Sequence, residues 1–156
     1  GSRFTIRLPR LEVPKAKRIL LVEDEALIRA SMASALESAG FVVVDAATGA
    51  DALAAMETAP HDLLILDILL PDLDGWQVLR RVREGEEIRT LPVLVVSGLE
   101  SVNADQAFGL GADEFLTKPV SPRVLVDTVV RLLAQAGVGN ALAGPSGGGS
   151  GGHPGT

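Results

Sequence analysis

Between residues 63 and 67 the chain reads Leu-Leu-Ile-Leu-Asp, an unbroken apolar run closed by a single carboxylate. A run this short and continuous is a strand covered on both faces, because a strand with one wet face would alternate apolar and polar residues. Burying an unpaired carboxylate is costly, so Asp67 belongs at the strand's end, where a cation or water can reach it. Pro71 and the residues up to Gly75 then turn the chain. In open α/β sheets, strand ends of this kind are where ligands and chemistry collect.

The pattern repeats along the chain. Apolar runs at Ile19 to Val22, Phe41 to Val44 and Val93 to Val96, and the brief segment Glu114 to Leu116, read as further strands. Between them lie helical signals. Ile28, Met32, Ala35 and Ala39 fall at helical spacing, and Gly40 closes that segment. Thr48 and Asp51 open a second helix that Pro60 ends, and Asp74 caps a third over Trp76 to Glu84. A fourth is expected between Ser101 and Leu110, and Ser121-Pro122 opens a last helix running to about Ala136. Five strands alternating with five helices predict an α/β fold with a doubly wound parallel sheet, since parallel neighbours need right-handed crossovers.

The remainder frames that unit. Phe4, Ile6 and Leu8 alternate with polar residues up to Pro9, as in the last strand of a preceding domain, and a basic linker with Pro14 follows. The expected domains are therefore residues 1–17 as a domain end plus linker, 18–136 as the folded unit, and 137–156 as a flexible Gly/Ser-rich tail. The absence of Cys excludes thiolate chemistry and disulfides and fits a reducing, cytoplasmic setting. A net charge of -6 argues against a nucleic-acid surface, and no apolar run approaches a membrane span.

Polar groups gather where the strands end: Glu23 and Asp24 after the first, Asp67 after the third, Ser97 after the fourth and Lys118 after the fifth. If the first and third strands are neighbours at a topological switch point, three carboxylates converge. Such a cluster repels itself unless a cation joins it, and Mg²⁺ (or Mn²⁺) suits carboxylates, waters and a phosphate oxygen. Lys118 and Ser97 would serve phosphoryl oxygens, and Asp67 could attack phosphorus, as carboxylates forming aspartyl phosphates do. A phosphohydrolase of the aspartate-nucleophile kind would want a second Asp where Leu69 stands, and Glu23 to Glu25 would repel the phosphate of a flavodoxin-like carrier.

Four motifs carry a family resemblance: Leu-Val-Glu-Asp-Glu at 21 to 25, Leu-Asp-Ile-Leu-Leu-Pro-Asp-Leu-Asp-Gly at 66 to 75, Val-Val-Ser-Gly at 95 to 98, and Gly-Ala-Asp-Glu-Phe-Leu-Thr-Lys-Pro at 111 to 119. In this order they resemble the receiver domains of two-component response regulators. The resemblance implies a flavodoxin-like strand order 2-1-3-4-5 and phosphoryl transfer from a phosphohistidine to Asp67. It implies Mg²⁺ held by Glu23, Asp24, Asp67 and the Leu69 carbonyl, with Ser97 and Lys118 contacting the phosphoryl group. It further implies a cis peptide before Pro119 and a switch in which Phe115 turns inward with Ser97. The face of the fourth helix, fifth strand and fifth helix would then change, and it could form a weak dimer. Gly98 replaces the family's commoner Ala and predicts a looser loop, while Leu69 and Leu99 predict a long-lived aspartyl phosphate.

The partner implied is a histidine kinase domain, in cis or in trans, or a histidine phosphotransfer protein. Gly1 to Pro9 is similar to the closing strand of a histidine-kinase ATP-binding domain, which implies the C-terminal receiver of a hybrid kinase. A stand-alone regulator is the alternative, and a docking module that is never phosphorylated is a third reading, which the complete acceptor set opposes. Whether the segment counts as an enzyme stays open, since a receiver promotes its own phosphorylation and slow dephosphorylation. His61 precedes a strand in a loop and is not read as a phosphodonor.

Overall fold

The computed structural model describes residues 15–72, 74–85, 88, 90–98 and 104–149, with the backbone alone for 138–149. The strand expected at Phe4, Ile6 and Leu8 lies outside them, as does Leu99. The strands are β1 (Arg18–Val22), β2 (Val42–Ala46), β3 (Leu63–Asp67), β4 (Val93–Ser97) and β5 (Glu114–Thr117). They form one sheet in the order β2-β1-β3-β4-β5, and every pairing is parallel. From β1 the chain winds out to the edge strand β2, then crosses back to β3, so the switch point falls between β1 and β3.

Helices α1 (Ala26–Ser38), α2 (Gly49–Thr58), α3 (Gly75–Glu84), α4 (Ala104–Gly109) and α5 (Pro122–Gly149) make the crossovers and the closing layer. Alternation along each strand sorts the core into two halves. Leu20, Val22, Leu64, Leu66, Val93 and Val95 point to the face covered by Val78, Leu79 and Val82 of α3 with Ala52 of α2. Ile19, Leu21, Leu63, Ile65, Leu94 and Val96 point to the other, under Met32 and Leu36 of α1 and Leu125, Val129 and Leu132 of α5. Both halves are buried, which explains why β3 and β4 are apolar at every interior position.

Local chemistry sets the helix starts. The Thr48 hydroxyl accepts from the Asp51 amide at 3.0 Å, and Ser121 Oγ accepts from Val124 N at 3.1 Å. Asp74 and Gln77 form a reciprocal capping box at the head of α3. Two elements end two or more residues beyond the sequence reading. Strand β2 ends at Ala46 rather than Val44, because an edge strand is held by its ladder and tolerates Asp45 opposite Leu21. Helix α5 runs to Gly149, beyond the end expected at Ala136. That extension passes through Gly137, Gly139, Gly144 and Pro145, residues that intrinsic helix propensity disfavours, so it runs against the local sequence signal. On α5, Val126 and Leu133 pack against the core, whereas Val130 is exposed.

A guanidinium fastens the opposite end of β5. Arg83 of α3 donates to the Gly111 carbonyl from Nε at 2.8 Å and from Nη2 at 2.6 Å, and to the Leu91 carbonyl from Nη1 at 2.6 Å. It also pairs with Asp113, whose Oδ2 accepts from Val93 N at 2.8 Å. Gly111 adopts φ +107°, and a Cβ there would stand 2.9 Å from the arginine side chain, so both the backbone and the space demand glycine.

Gly75 is constrained by space alone. A Cβ on it would lie 2.5 Å from Ile68 Cα and 2.7 Å from the Asp67 carbonyl oxygen, both backbone atoms that cannot step aside. Gly75→Ala is therefore expected to cost about 2 kcal/mol or more of unfolding free energy, measured by urea denaturation, and an unchanged midpoint would contradict the tight turn.

Candidate functional site

Strand register builds the site. Val22 pairs with Leu66, and Asp67 pairs with Val96, so Glu23 follows β1 beside Asp67 at the end of β3. Ser97 closes β4 opposite Thr117, and Lys118 follows β5. All four therefore share the C-terminal edge of the sheet, with Asp24 next to Glu23. Carboxylate oxygens of Glu23, Asp24 and Asp67 lie within 4.8 Å of one another.

Their environments differ. Glu23 and Asp67 are buried, at 1% and 4% exposure, while Asp24 opens to solvent. Lys118 reaches into the cluster and bridges the buried pair, with Nζ 2.7 Å from Glu23 Oε1 and 3.0 Å from Asp67 Oδ2. Glu23 Oε2 accepts from the Glu25 amide at 3.1 Å, and Asp67 Oδ1 accepts from the Leu69 amide at 3.0 Å. Thus each buried carboxylate has one oxygen on the ammonium and the other on a backbone N–H.

Burial raises the Glu23 pKa above its ordinary value, with the Asp67 charge adding to the effect and the Lys118 hydrogen bond opposing it. For Lys118, desolvation pushes the pKa down, but the hydrogen bonds and charges of Glu23 and Asp67 outweigh it, so its pKa is raised and the ammonium stays charged. One ammonium faces three carboxylates. The excess negative charge and the all-oxygen donor set fit a hard divalent cation rather than a thiophilic metal.

Ser97 is fully buried, and its carbonyl accepts from Lys118 N at 3.0 Å. The Lys118–Pro119 peptide is cis. Phe115 sits half-buried in β5, packed against the α3-side core, and Leu69 is 48% exposed at the rim. Gly98 stands against the Lys118 side chain, where a Cβ would make ordinary contact at 3.6 Å. An apolar cleft of about 470 Å³, lined by Leu27, Ile28, Met32, Lys118 and Pro119, adjoins the cluster, and Leu27 is 86% exposed on it. His61 lies at the far end of β3 from Asp67, and burial lowers its pKa.

Two supporting side chains escaped the sequence reading. Arg29 on α1 donates from Nη1 to the Glu23 carbonyl at 2.8 Å and the Asp24 carbonyl at 3.4 Å, with Nε 3.7 Å from Asp45. Asp72 accepts from the amides of Gly49 and Ala50 at 2.8 and 2.9 Å. Arg29 looks like any exposed-face arginine of an amphipathic helix, and Asp72 after Pro71 looks like a turn residue. Neither carries a local signal of its distant partner.

A family model described as the response regulator receiver domain matches residues 19–130. The chain is 37% identical over 128 residues to the phosphate regulon transcriptional regulatory protein PhoB of Pseudomonas aeruginosa, covering 81% of this chain and 56% of that protein. A crystal structure of a CheY-like response regulator receiver domain protein from Methanospirillum hungatei JF-1 superposes with a TM-score of 0.74 at 30% identity, covering 80% of this chain and 99% of that one. The signal receiver domain of a signal transduction histidine kinase from Syntrophus aciditrophicus superposes with a TM-score of 0.70 at 31% identity, covering 77% and 92%. The chain spans about half the length of the curated relatives it matches. No helix among the described residues is long and apolar enough to cross a membrane.

The raised Glu23 pKa has a definite sign in stability. The folded state holds this proton more tightly than the unfolded chain, so stability from Glu23 is lost as pH rises from 4.5 through the higher folded value. In metal-free buffer, the wild type should therefore lose stability relative to Glu23→Gln as pH climbs through that window. Urea midpoints across the range test it, and a difference that does not vary with pH would count against burial as the cause.

Proposed function

The chain belongs to the response regulator receiver domain family of two-component systems, and on that premise we propose that Asp67 is its phosphoacceptor. The observation that carries the reading is the Lys118 bridge between two buried carboxylates, beside an exposed third. A carboxylate oxygen of Asp67 attacks the phosphorus of a phosphohistidine, the O–P bond forms as the N–P bond breaks, and the N–P electron pair returns to the imidazole. The Leu69 amide and Lys118 orient the two oxygens beforehand, so little rearrangement precedes attack. The Lys118 ammonium then offsets charge on the phosphoryl oxygens, and the Ser97 hydroxyl donates to one of them.

Mg²⁺ or Mn²⁺ would be held by Glu23, Asp24, Asp67 and the Leu69 carbonyl. When bound, it supplies positive charge that offsets the carboxylates and the incoming phosphoryl group. Movement of Ser97 towards the phosphate would draw Phe115 inward and alter the face of α4, β5 and α5. Exposed Phe108, Val124 and Val130 on those helices supply apolar surface for a weak dimer there. The cleft beside Leu27 gives a histidine-bearing partner apolar surface on which to settle within reach of Asp67.

The parent protein is read as a hybrid histidine kinase with this receiver at its C-terminal side, near residues 18–136, flanked by a linker and a Gly/Ser-rich tail. The sequence of Gly1 to Pro9 and the likeness to a histidine-kinase receiver support it. A stand-alone regulator is favoured instead by relatives such as the Pseudomonas regulator, which is named as a transcriptional regulator. In either setting the acidic receiver is not itself the nucleic-acid surface, given its charge. The coding sequence upstream of Gly1 separates the two: an ATP-binding kinase domain there supports the hybrid, and its absence overturns it.

Incubated with acetyl phosphate and Mg²⁺, the protein should gain one phosphoryl group by intact-mass measurement, and Asp67→Asn should gain none. Removal of Mg²⁺ by EDTA should stop the gain. An unmodified wild type, or a modified Asp67→Asn, would sink the assignment.

Lys118→Met would leave Glu23 and Asp67 buried without their cation. It is expected to cost about 3–5 kcal/mol of stability near neutral pH in the absence of divalent metal. Addition of Mg²⁺ should return part of that loss, read as a rise in Tm larger in the variant than in the wild type.

A further inference from the structure

The loop from Ile68 to Asp74 carries the amide that orients the acceptor, and it is fastened at two points. At one end Gly75 N donates to the Ile68 carbonyl at 2.9 Å, and Asp74 caps α3. At the other, the Asp72 carboxylate spans to α2, Oδ1 taking Gly49 N at 2.8 Å and Oδ2 taking Ala50 N at 2.9 Å. These are first-turn amides with no partner inside their own helix, and the positive end of the helix dipole favours the carboxylate there. Thr48 already takes the next amide, Asp51 N, at 3.0 Å.

Thr48 and Asp72 therefore both cap α2, but only Asp72 ties that helix to the loop beside the acid cluster. Between Ile68, held by Gly75, and Asp72 lies Leu69, whose amide meets Asp67 Oδ1 at 3.0 Å and whose side chain is half exposed, so little packing holds it otherwise. We propose that Asp72 is a positioning residue that sets the β3–α3 loop for cation binding by anchoring it to the first turn of α2. The inference rests on the reading of Glu23, Asp24, Asp67 and Leu69 as the cation's ligands. Groups that hold metal ligands in place, without touching the metal, typically carry 10–100-fold of the affinity.

The test is calorimetric titration of the whole chain with Mg²⁺ in the absence of any phosphodonor, on the wild type, Asp72→Ala, Asp72→Asn and Thr48→Ala. Asp72→Ala should raise the Mg²⁺ Kd about tenfold, towards the lower end of that range because Asp72 is exposed. Asp72→Asn keeps a side-chain oxygen to accept one of the two amides and should recover much of the affinity. Thr48→Ala should lower Tm by weakening the same helix while leaving Kd unchanged, and the Leu69 amide resonance should shift in Asp72→Ala only. The inference is overturned if Asp72→Ala binds like the wild type, or if Thr48→Ala weakens binding as much as Asp72→Ala does. A wild type that binds no Mg²⁺ overturns the ligand assignment beneath it, a result distinct from wild-type binding that ignores Asp72.

Discussion

Two carboxylates buried within reach of one ammonium form the constraint on which the rest of the molecule turns. Glu23 and Asp67 are almost wholly withdrawn from water, yet both remain within 3.0 Å of Lys118 Nζ. An ion group of this kind seldom adds stability over an apolar equivalent, because desolvation consumes most of the Coulombic gain. Its presence at the end of an otherwise apolar sheet is a cost in stability that fits the phosphoacceptor site proposed above. The raised pKa of Glu23 is the local sign of that cost.

The fold makes the arrangement reachable from distant parts of the chain. Residues 23, 67 and 118 are brought together because β1 and β3 are neighbours across the switch point and β5 lies two strands further on. Parallel strands put every C-terminal end on one edge, so a single polar residue after each suffices. The backbone contributes as much as the side chains. Amides of Glu25 and Leu69 complete the two buried carboxylates, and Arg29 holds the carbonyls of the acidic loop. What faces a ligand is thus a small surface whose supports lie on α1, α2 and α3.

Much of this could be read from residue order, for definite reasons. Continuous apolar runs leave few options besides two-faced strands, and Thr48, Asp74 and Ser121 announce helix starts through their own side chains. The acid cluster was legible because its members close strands. Less legible were features set by partners remote in sequence. The end of β2 depends on pairing with β1, and the reach of α5 beyond Ala136 runs against the propensities of its glycines and Pro145. Arg83, Arg29 and Asp72 bind backbone atoms, which carry no residue-specific signature in the sequence of the partner.

The clamp made by Arg83 bears on how a local event at the acids could travel. Just before β5, Gly111 and Asp113 are gripped by the guanidinium of α3, and just after it the Lys118 amide is bound to the carbonyl that ends β4. A ribbon anchored at both extremities has little freedom to slide or lift, whereas the Phe115 ring on it is held by packing rather than by hydrogen bonds. Under the switch proposed for Phe115, a message crossing this sheet would pass as the rotation of an aromatic ring on a stationary track, with the track itself kept still by an arginine far from the acids.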